Sequence, residues 1–126
     1  MNMRTPLKRV NALGSAKEGA DHFWTLRVTA VANLLLTLFL VWLIVSLVGA
    51  DYATVKSRLA HPVNAIGLGL LAISGTIHMR LGMQVIIEDY VHGEFGKLIL
   101  LMLNTFFAIL IAAACLFAVA KLSFGA

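Results

Sequence analysis

The chain has 126 residues, of which 60% are hydrophobic and 13% are charged, and its mean hydropathy is +0.91. A soluble domain carries about 45–50% apolar and about 25% charged residues, and a chain this short could not bury the apolar excess in its own core. The composition therefore excludes an ordinary water-soluble fold and favours a lipid environment. The net charge of +4 is concentrated at the N-terminus, outside the apolar segments, so we expect no nucleic-acid partner.

Residues 1–21 are predicted to be a cytoplasmic tail. The tail carries four basic residues, Arg4, Lys8, Arg9 and Lys17. It has no apolar stretch of the kind that a secretory signal peptide requires, and Glu18 argues against a mitochondrial transit peptide, which is Arg-rich and poor in acids. We therefore expect a protein of the bacterial inner membrane.

Long uncharged runs follow the tail at Val28–Val48, Val63–Met79 and Leu98–Ala120. About 20 apolar residues span the hydrocarbon core of a bilayer, so each run predicts a transmembrane helix. The fold class is therefore predicted to be all-α. The chain is expected to be one integral membrane domain, residues 1–126, with transmembrane helices at approximately 22–48, 63–90 and 97–121.

The distribution of positive charge predicts the orientation of these spans. The tail together with Arg27 carries five basic residues, the polar connector 51–62 carries two, and the C-terminus carries one. We therefore predict a cytoplasmic N-terminus and a periplasmic C-terminus. The end of the second span then also faces the cytoplasm.

The second span carries one face of unusual composition. Because each helical residue advances about 100°, His78 shares this face with small residues on either side and with Asp89. The small residues are Gly67, Ser74, Gly75 and Gly82. In one interpretation they let another helix approach closely, and His78 hydrogen-bonds across that interface. In the other they clear space for a flat macrocycle, and His78 is an axial ligand of haem iron.

The residues alone leave both interpretations open. The remaining histidines, His22, His61 and His92, lie at helix ends or in a turn, so a second axial ligand would have to come from another subunit. At the end of the second span, Tyr90 suits an interfacial anchor, and its hydroxyl also suits a hydrogen bond to a quinone carbonyl.

The stretch from His78 to Gly93 reads His-Met-Arg-Leu-Gly-Met-Gln-Val-Ile-Ile-Glu-Asp-Tyr-Val-His-Gly. It resembles the signature of the smaller, haem-b-binding hydrophobic membrane anchor of succinate dehydrogenase (respiratory complex II). The family pattern is a histidine, a glycine four residues later, and Asp-Tyr eleven and twelve residues after the histidine. Outside this stretch only the length and the topology agree.

The resemblance implies one half of a haem-binding helical bundle that a second anchor subunit completes. It implies that His78 is the axial ligand of haem b and that Arg27 pairs with a haem propionate. Tyr90 would hydrogen-bond ubiquinone, with Asp89 beside that site. The implied partners are a second haem-binding anchor, an iron-sulfur subunit, a flavoprotein subunit and membrane lipid. The implied reaction is succinate oxidation coupled to ubiquinone reduction, in which this chain is not catalytic alone.

Other functions remain open from the sequence. The chain could be the anchor of a fumarate reductase or of another haem-b quinone oxidoreductase. A small transporter would need an acid deep in a span, whereas Glu88 and Asp89 lie near an end. A cofactor-free assembly subunit is a third possibility. Arg80 is expected either to snorkel toward the cytoplasmic interface or to reach a partner or the quinone pocket.

Overall fold

A computed structural model describes residues 16–125, and these residues are almost entirely helical. The helices are α1 (Ala16–Ser46), α2 (Tyr52–Ala60), α3 (Pro62–Tyr90) and α4 (Glu94–Phe124). Three of them, α1, α3 and α4, are long and apolar enough to cross a membrane. The predicted all-α fold with three spanning helices is therefore confirmed. The tail residues Arg4, Lys8 and Arg9, on which the predicted orientation partly depends, lie outside the described residues.

The spans are longer than the predicted ranges, because polar residues continue the helices beyond the apolar runs. Helix α1 begins at Ala16, inside the segment expected to be a tail, and α4 begins at Glu94 and ends at Phe124. With a rise of about 1.5 Å per residue, the 29 residues of α3 extend about 43 Å. This length exceeds the hydrocarbon core of about 30 Å, so both helix ends reach the interfaces.

The connector between the first two spans contains a short helix, α2, whereas the sequence predicts only a polar connector there. After α1 the chain turns at Gly49, whose φ of 81° lies in the left-handed region that favours glycine. Asp51 then caps α2, where its carboxylate accepts a hydrogen bond from the Thr54 N–H at 3.3 Å. Hydrogen bonds from Thr54 lower the pKa of Asp51.

A polar contact joins α2 to the start of α3. The Asn64 side-chain amide, which is 9% exposed, donates to the Arg58 carbonyl at 2.9 Å. Pro62 occupies the first turn of α3, where its missing N–H has no intrahelical partner to lose. His61 accepts a hydrogen bond from the Val63 N–H and so caps the same turn. The connector is thereby fixed against α3.

Helix α3 is the centre of the molecule. It packs against α1 on one side and α4 on the other, whereas α1 and α4 make no contact with one another within the described part of the chain. The three spans therefore form a row rather than a closed bundle. Few apolar side chains in the described residues are buried; these are Leu43, Ala65, Leu81, Ile87 and Ala108.

The polar character of the spans is concentrated in α3. The most apolar windows of α1 and α4 both have a mean hydropathy of 2.5, whereas that of α3 reaches only 1.4. Polar groups within a bilayer are costly, and they mark functional sites more often than elsewhere. The central helix α3 is therefore the best candidate to carry a functional site.

Candidate functional site

His78 lies near the middle of α3 and is held by the first span. Its Nδ1 atom is 3.0 Å from the Oγ1 atom of Thr29 in α1. Thr29 is only 7% exposed, so little solvent or lipid reaches this contact. The hydrogen bond uses one ring nitrogen of His78, and among the described residues no hydrogen bond engages the other, Nε2. The ring is thus oriented by this chain, while Nε2 is left to a further ligand.

A second contact supports the same crossing of the two helices. The Ser74 hydroxyl, one turn before His78, donates to the Thr29 carbonyl at 3.5 Å. The packing interpretation therefore describes one side of His78 correctly, since its ring does hydrogen-bond across a helix interface. It accounts for Nδ1 and for Ser74, but it assigns no partner to Nε2.

Gly67 is a packing glycine. A Cβ atom added there would lie 2.7 Å from Cε1 of Phe39 and 3.0 Å from its Cζ. These distances are far below ordinary van der Waals contact, so the aromatic ring of α1 occupies the space that a side chain would need. At this position the small residue permits close approach of two helices of the same chain.

Gly75 and Gly82, which flank His78, differ from Gly67. A Cβ atom added at either position would meet no atom of the described residues within 4 Å. At about 100° per residue, both glycines lie roughly 40–60° from His78 on one side, while Ser74 lies about 40° away on the other. Helix α1 therefore covers one flank of His78, and the glycine flank is open. Packing within this chain does not require glycine at these two positions.

Arg27 lines a groove on the α1 side of this face. The groove has a volume of about 450 Å³ and includes His22, Leu26 and, from α3, Val85. The Arg27 guanidinium carbon is 4.7 Å from the centroid of the Phe23 ring, which holds the side chain by a cation–π contact. Buried within this region, the Nε2 atom of His22 has no hydrogen-bond partner among the described residues. The groove thus offers the cation of Arg27 to an anionic group.

The other predicted residues lie at the far end of α3. Tyr90 is the last residue of the helix and is 77% exposed, and Asp89 is also exposed. Twelve residues separate His78 from Tyr90, which corresponds to about 18 Å along the helix axis. The structure therefore brings His78 and Thr29 together but keeps Tyr90 apart. The predicted site residues therefore lie at two levels of α3, one near mid-helix and one at its end.

Arg80 faces α4. Its Nε–H donates to the Thr105 hydroxyl at 3.4 Å, and its carbonyl accepts a hydrogen bond from the Asn104 amide at 2.9 Å. Asn104 therefore lies at the contact between α3 and α4. Arg80 contributes to the junction of these helices.

Thr29 is the residue that sequence reasoning missed. The first span contains several polar residues, and no sequence pattern singles this one out. Nothing local distinguishes Thr29 from Thr37, which is exposed on the same helix. Only the register of α1 against α3 places Thr29 beside His78, and a single sequence does not reveal that register.

The chain shows clear similarity to known proteins. Residues 1–120 match the family model of the succinate dehydrogenase/fumarate reductase transmembrane subunit. Relatives of the chain carry names of this kind. The succinate dehydrogenase hydrophobic membrane anchor subunit of Paracoccus denitrificans is 30% identical over 126 residues, which is 100% of this chain and 97% of the relative.

The protein of the same name from Rickettsia bellii is 31% identical over 118 residues, or 94% of each chain. The succinate dehydrogenase membrane anchor subunit of Reclinomonas americana is 30% identical over 96 residues, covering 74% of this chain and 80% of the relative. No solved structure shows significant similarity to the chain.

Proposed function

Because this chain belongs to the succinate dehydrogenase/fumarate reductase transmembrane subunit family, we propose that it is the membrane anchor subunit of a succinate:ubiquinone oxidoreductase. It is a multi-pass membrane protein that associates with the other subunits of such an enzyme. In the proposed complex it anchors a flavoprotein subunit and an iron-sulfur subunit. It also shares haem b with a second anchor and helps to form the site of ubiquinone reduction.

The observation that carries the proposal is the environment of His78. Its Nδ1 is engaged by Thr29, whereas the described residues give its Nε2 no hydrogen bond and leave the space beside Gly75 and Gly82 unfilled. A metal-binding histidine commonly has its second nitrogen fixed by a hydrogen bond in this way. The residues therefore fit haem b, which His78 would hold as one ligand while the second anchor would supply the other. When bound, haem supplies a one-electron redox centre.

Arg27 is proposed to pair with a haem propionate. The groove that it lines lies between α1 and α3, and Val85 of this groove follows His78 by seven residues on nearly the same face. A guanidinium suits this role because its planar donors match carboxylate geometry.

Tyr90 and Asp89 are proposed to belong to the quinone site. Both are exposed at the end of α3, where a partner subunit can complete a pocket around them. The Tyr90 hydroxyl would donate a hydrogen bond to a quinone carbonyl, and Asp89 would lie beside that site. Because neither residue contacts His78, the proposal places quinone reduction and haem binding at separate levels of the membrane.

The proposed location is the bacterial inner membrane. The basic N-terminal segment favours a cytoplasmic N-terminus under the positive-inside rule. Three crossings then put the C-terminus in the periplasm and Tyr90 at the cytoplasmic interface. The two soluble subunits would dock at that interface, on the side of the quinone site.

A fumarate reductase anchor is the second candidate, because the matching family includes transmembrane subunits of both enzymes. The quinone that co-purifies with the complex separates them. Ubiquinone supports succinate oxidation, whereas a low-potential quinone supports fumarate reduction.

The ligand proposal is tested by purifying the complex through a tag on this chain and recording its reduced-minus-oxidised spectrum. We expect a b-type haem band together with two soluble subunits and a second anchor. In His78→Ala the band should be lost or the haem should become high-spin. His92→Ala removes an exposed imidazole outside the proposed haem site and should leave the band unchanged. An unaltered low-spin spectrum in His78→Ala would refute axial ligation by His78.

A further inference from the structure

We propose that Thr29 is a positioning residue that fixes the tautomer and the orientation of His78, so that the lone pair of Nε2 is presented to the haem iron. This inference rests on the proposed function, since it requires His78 to be the ligand. It extends that function to a residue of α1, more than 40 positions away in the sequence, that none of the preceding assignments includes.

The hydrogen bonds of Thr29 determine which nitrogen of His78 carries the proton. The Thr29 Oγ1 atom lies 2.8 Å from the Thr25 carbonyl and 3.2 Å from the Leu26 carbonyl, and either of these groups can only accept. A hydroxyl has one proton, which is directed to these carbonyls. Toward His78, Oγ1 therefore acts as the acceptor, and Nδ1 must be the donor.

The consequence for coordination is direct. Neutral imidazole carries one N–H, so a proton on Nδ1 leaves a lone pair on Nε2. Only a nitrogen with a free lone pair can bind a metal, and the hydrogen bond made by one ring nitrogen selects the other as ligand. The opposite polarity, in which Thr29 donates to Nδ1, would put the proton on Nε2 and block coordination.

Threonine is well suited to hold the ring in place. Its branched Cβ restricts χ1 in a helix, and the residue is 7% exposed, so its hydroxyl has little freedom to turn away. The Ser74 hydroxyl bonds to the Thr29 carbonyl at 3.5 Å and ties the backbone of the same residue to α3. Helix α1 therefore acts as a fixed support behind the imidazole.

The experiment compares Thr29 variants in the intact complex. Thr29→Val keeps the shape and removes the hydroxyl, Thr29→Ser keeps the hydroxyl, and Thr37→Val makes the same change at an exposed site of α1. Three quantities are measured: haem retained per complex, the electron paramagnetic resonance of the ferric haem, and its midpoint potential. Loss of such a supporting hydrogen bond typically weakens metal binding by about 10–100-fold.

We expect haem retention in Thr29→Val to fall at least about tenfold, or the midpoint potential to rise. The potential rises because a hydrogen bond accepted from Nδ1–H makes imidazole a stronger donor and stabilises ferric iron, and this effect is lost. Thr29→Ser and Thr37→Val should resemble the wild type. If Thr29→Val does not assemble, Thr29→Cys replaces it, since a thiol is a weaker hydrogen-bond partner, and a raised potential is again expected.

The outcomes distinguish the two proposals. If His78→Ala loses the low-spin haem while Thr29→Val matches the wild type in all three measurements, His78 is the ligand and the role of Thr29 is refuted. A wild-type potential in Thr29→Cys likewise refutes it. If His78→Ala keeps the low-spin haem, ligation by His78 fails, and the role of Thr29 fails with it.

Discussion

The first half of α3, from Pro62 to Ser74, and its second half, from Gly75 to Tyr90, both carry glycines on the face that includes His78, but their surroundings differ. In the first half, Gly67 lies so close to Phe39 of α1 that a Cβ atom would clash with the ring. In the second half, Gly75 and Gly82 border space that the described residues leave empty. Small residues thus serve internal packing in one half and border open space in the other.

This difference shows that a glycine stripe in a membrane helix is not one signal. The same residue type marks contact within the chain at one position and an open surface two to four turns later. The distinction becomes visible only when the neighbouring helix is placed. The role of each glycine in α3 therefore has to be tested separately.

The largest effect is expected for Gly82→Leu. A Cβ atom at position 82 would meet none of the described residues within 4 Å, so the helices should fold normally, but the longer side chain would enter the space proposed for haem and the second anchor. Overpacking a tight site costs about 1–3 kcal/mol, which corresponds to roughly 5- to 150-fold weaker binding of haem by the purified complex. Gly82→Ala should show a smaller loss. Wild-type haem content in Gly82→Leu would show that the glycine flank faces only lipid.

Gly67→Ala, in contrast, is expected to lower the stability of the chain itself. The Phe39 ring must move to admit the methyl group, at a cost of about 1–3 kcal/mol. Resistance of the purified complex to denaturation by sodium dodecyl sulfate measures this loss. Gly69→Ala is the control, since its Cβ would meet Leu116 at an ordinary 3.9 Å, and Phe39→Leu should partly rescue Gly67→Ala. Equal stability of the two alanine variants would contradict the packing role of Gly67.

Tyr90→Phe tests whether the end of α3 is separate from the region around His78. Loss of one hydrogen bond to a quinone carbonyl, worth about 0.5–1.5 kcal/mol, should lower succinate:ubiquinone reductase activity by roughly three- to tenfold. The haem spectrum should not change, because about 18 Å of helix separates the two residues. Unaltered quinone kinetics would identify Tyr90 as an interfacial anchor, and an altered haem spectrum would show that the two levels are coupled.

The smallest effect is expected for Asn104→Leu, at the contact of α3 with α4. The variant loses the 2.9 Å hydrogen bond to the Arg80 carbonyl. Polar contacts between membrane helices average about 0.6 kcal/mol, so a slight loss of resistance to denaturation is expected, with haem content unchanged. A loss of resistance to denaturation as large as that in Gly67→Ala would mean that the contact of Arg80 with α4 supports more than helix packing.

The fold was largely predictable because it follows from apolar runs whose lengths match the bilayer, and three spans were found where three runs occur. Helix α2 was not anticipated, because its nine residues are too few and too polar to show a helical pattern of apolar residues. Its formation depends on the Asp51 cap and on packing against α3 and α4. The spacing of the His78 stretch predicted which residues share a face. It could not predict that Thr29 bonds His78 or that Gly67 and Gly82 have different neighbours, since both facts depend on how α1 sits against α3.

The row arrangement of the three spans has a consequence for the fate of unassembled copies. Because α1 and α4 flank α3 without meeting in the described part of the chain, the glycine flank of His78 lies on a face that these residues leave open, while α1 covers the other flank. A newly inserted copy would present this open flank of the polar ring to acyl chains, which solvate it poorly. We expect membrane proteases to degrade copies that lack their partner subunits. The cellular amount of this chain would then follow the amount of those subunits.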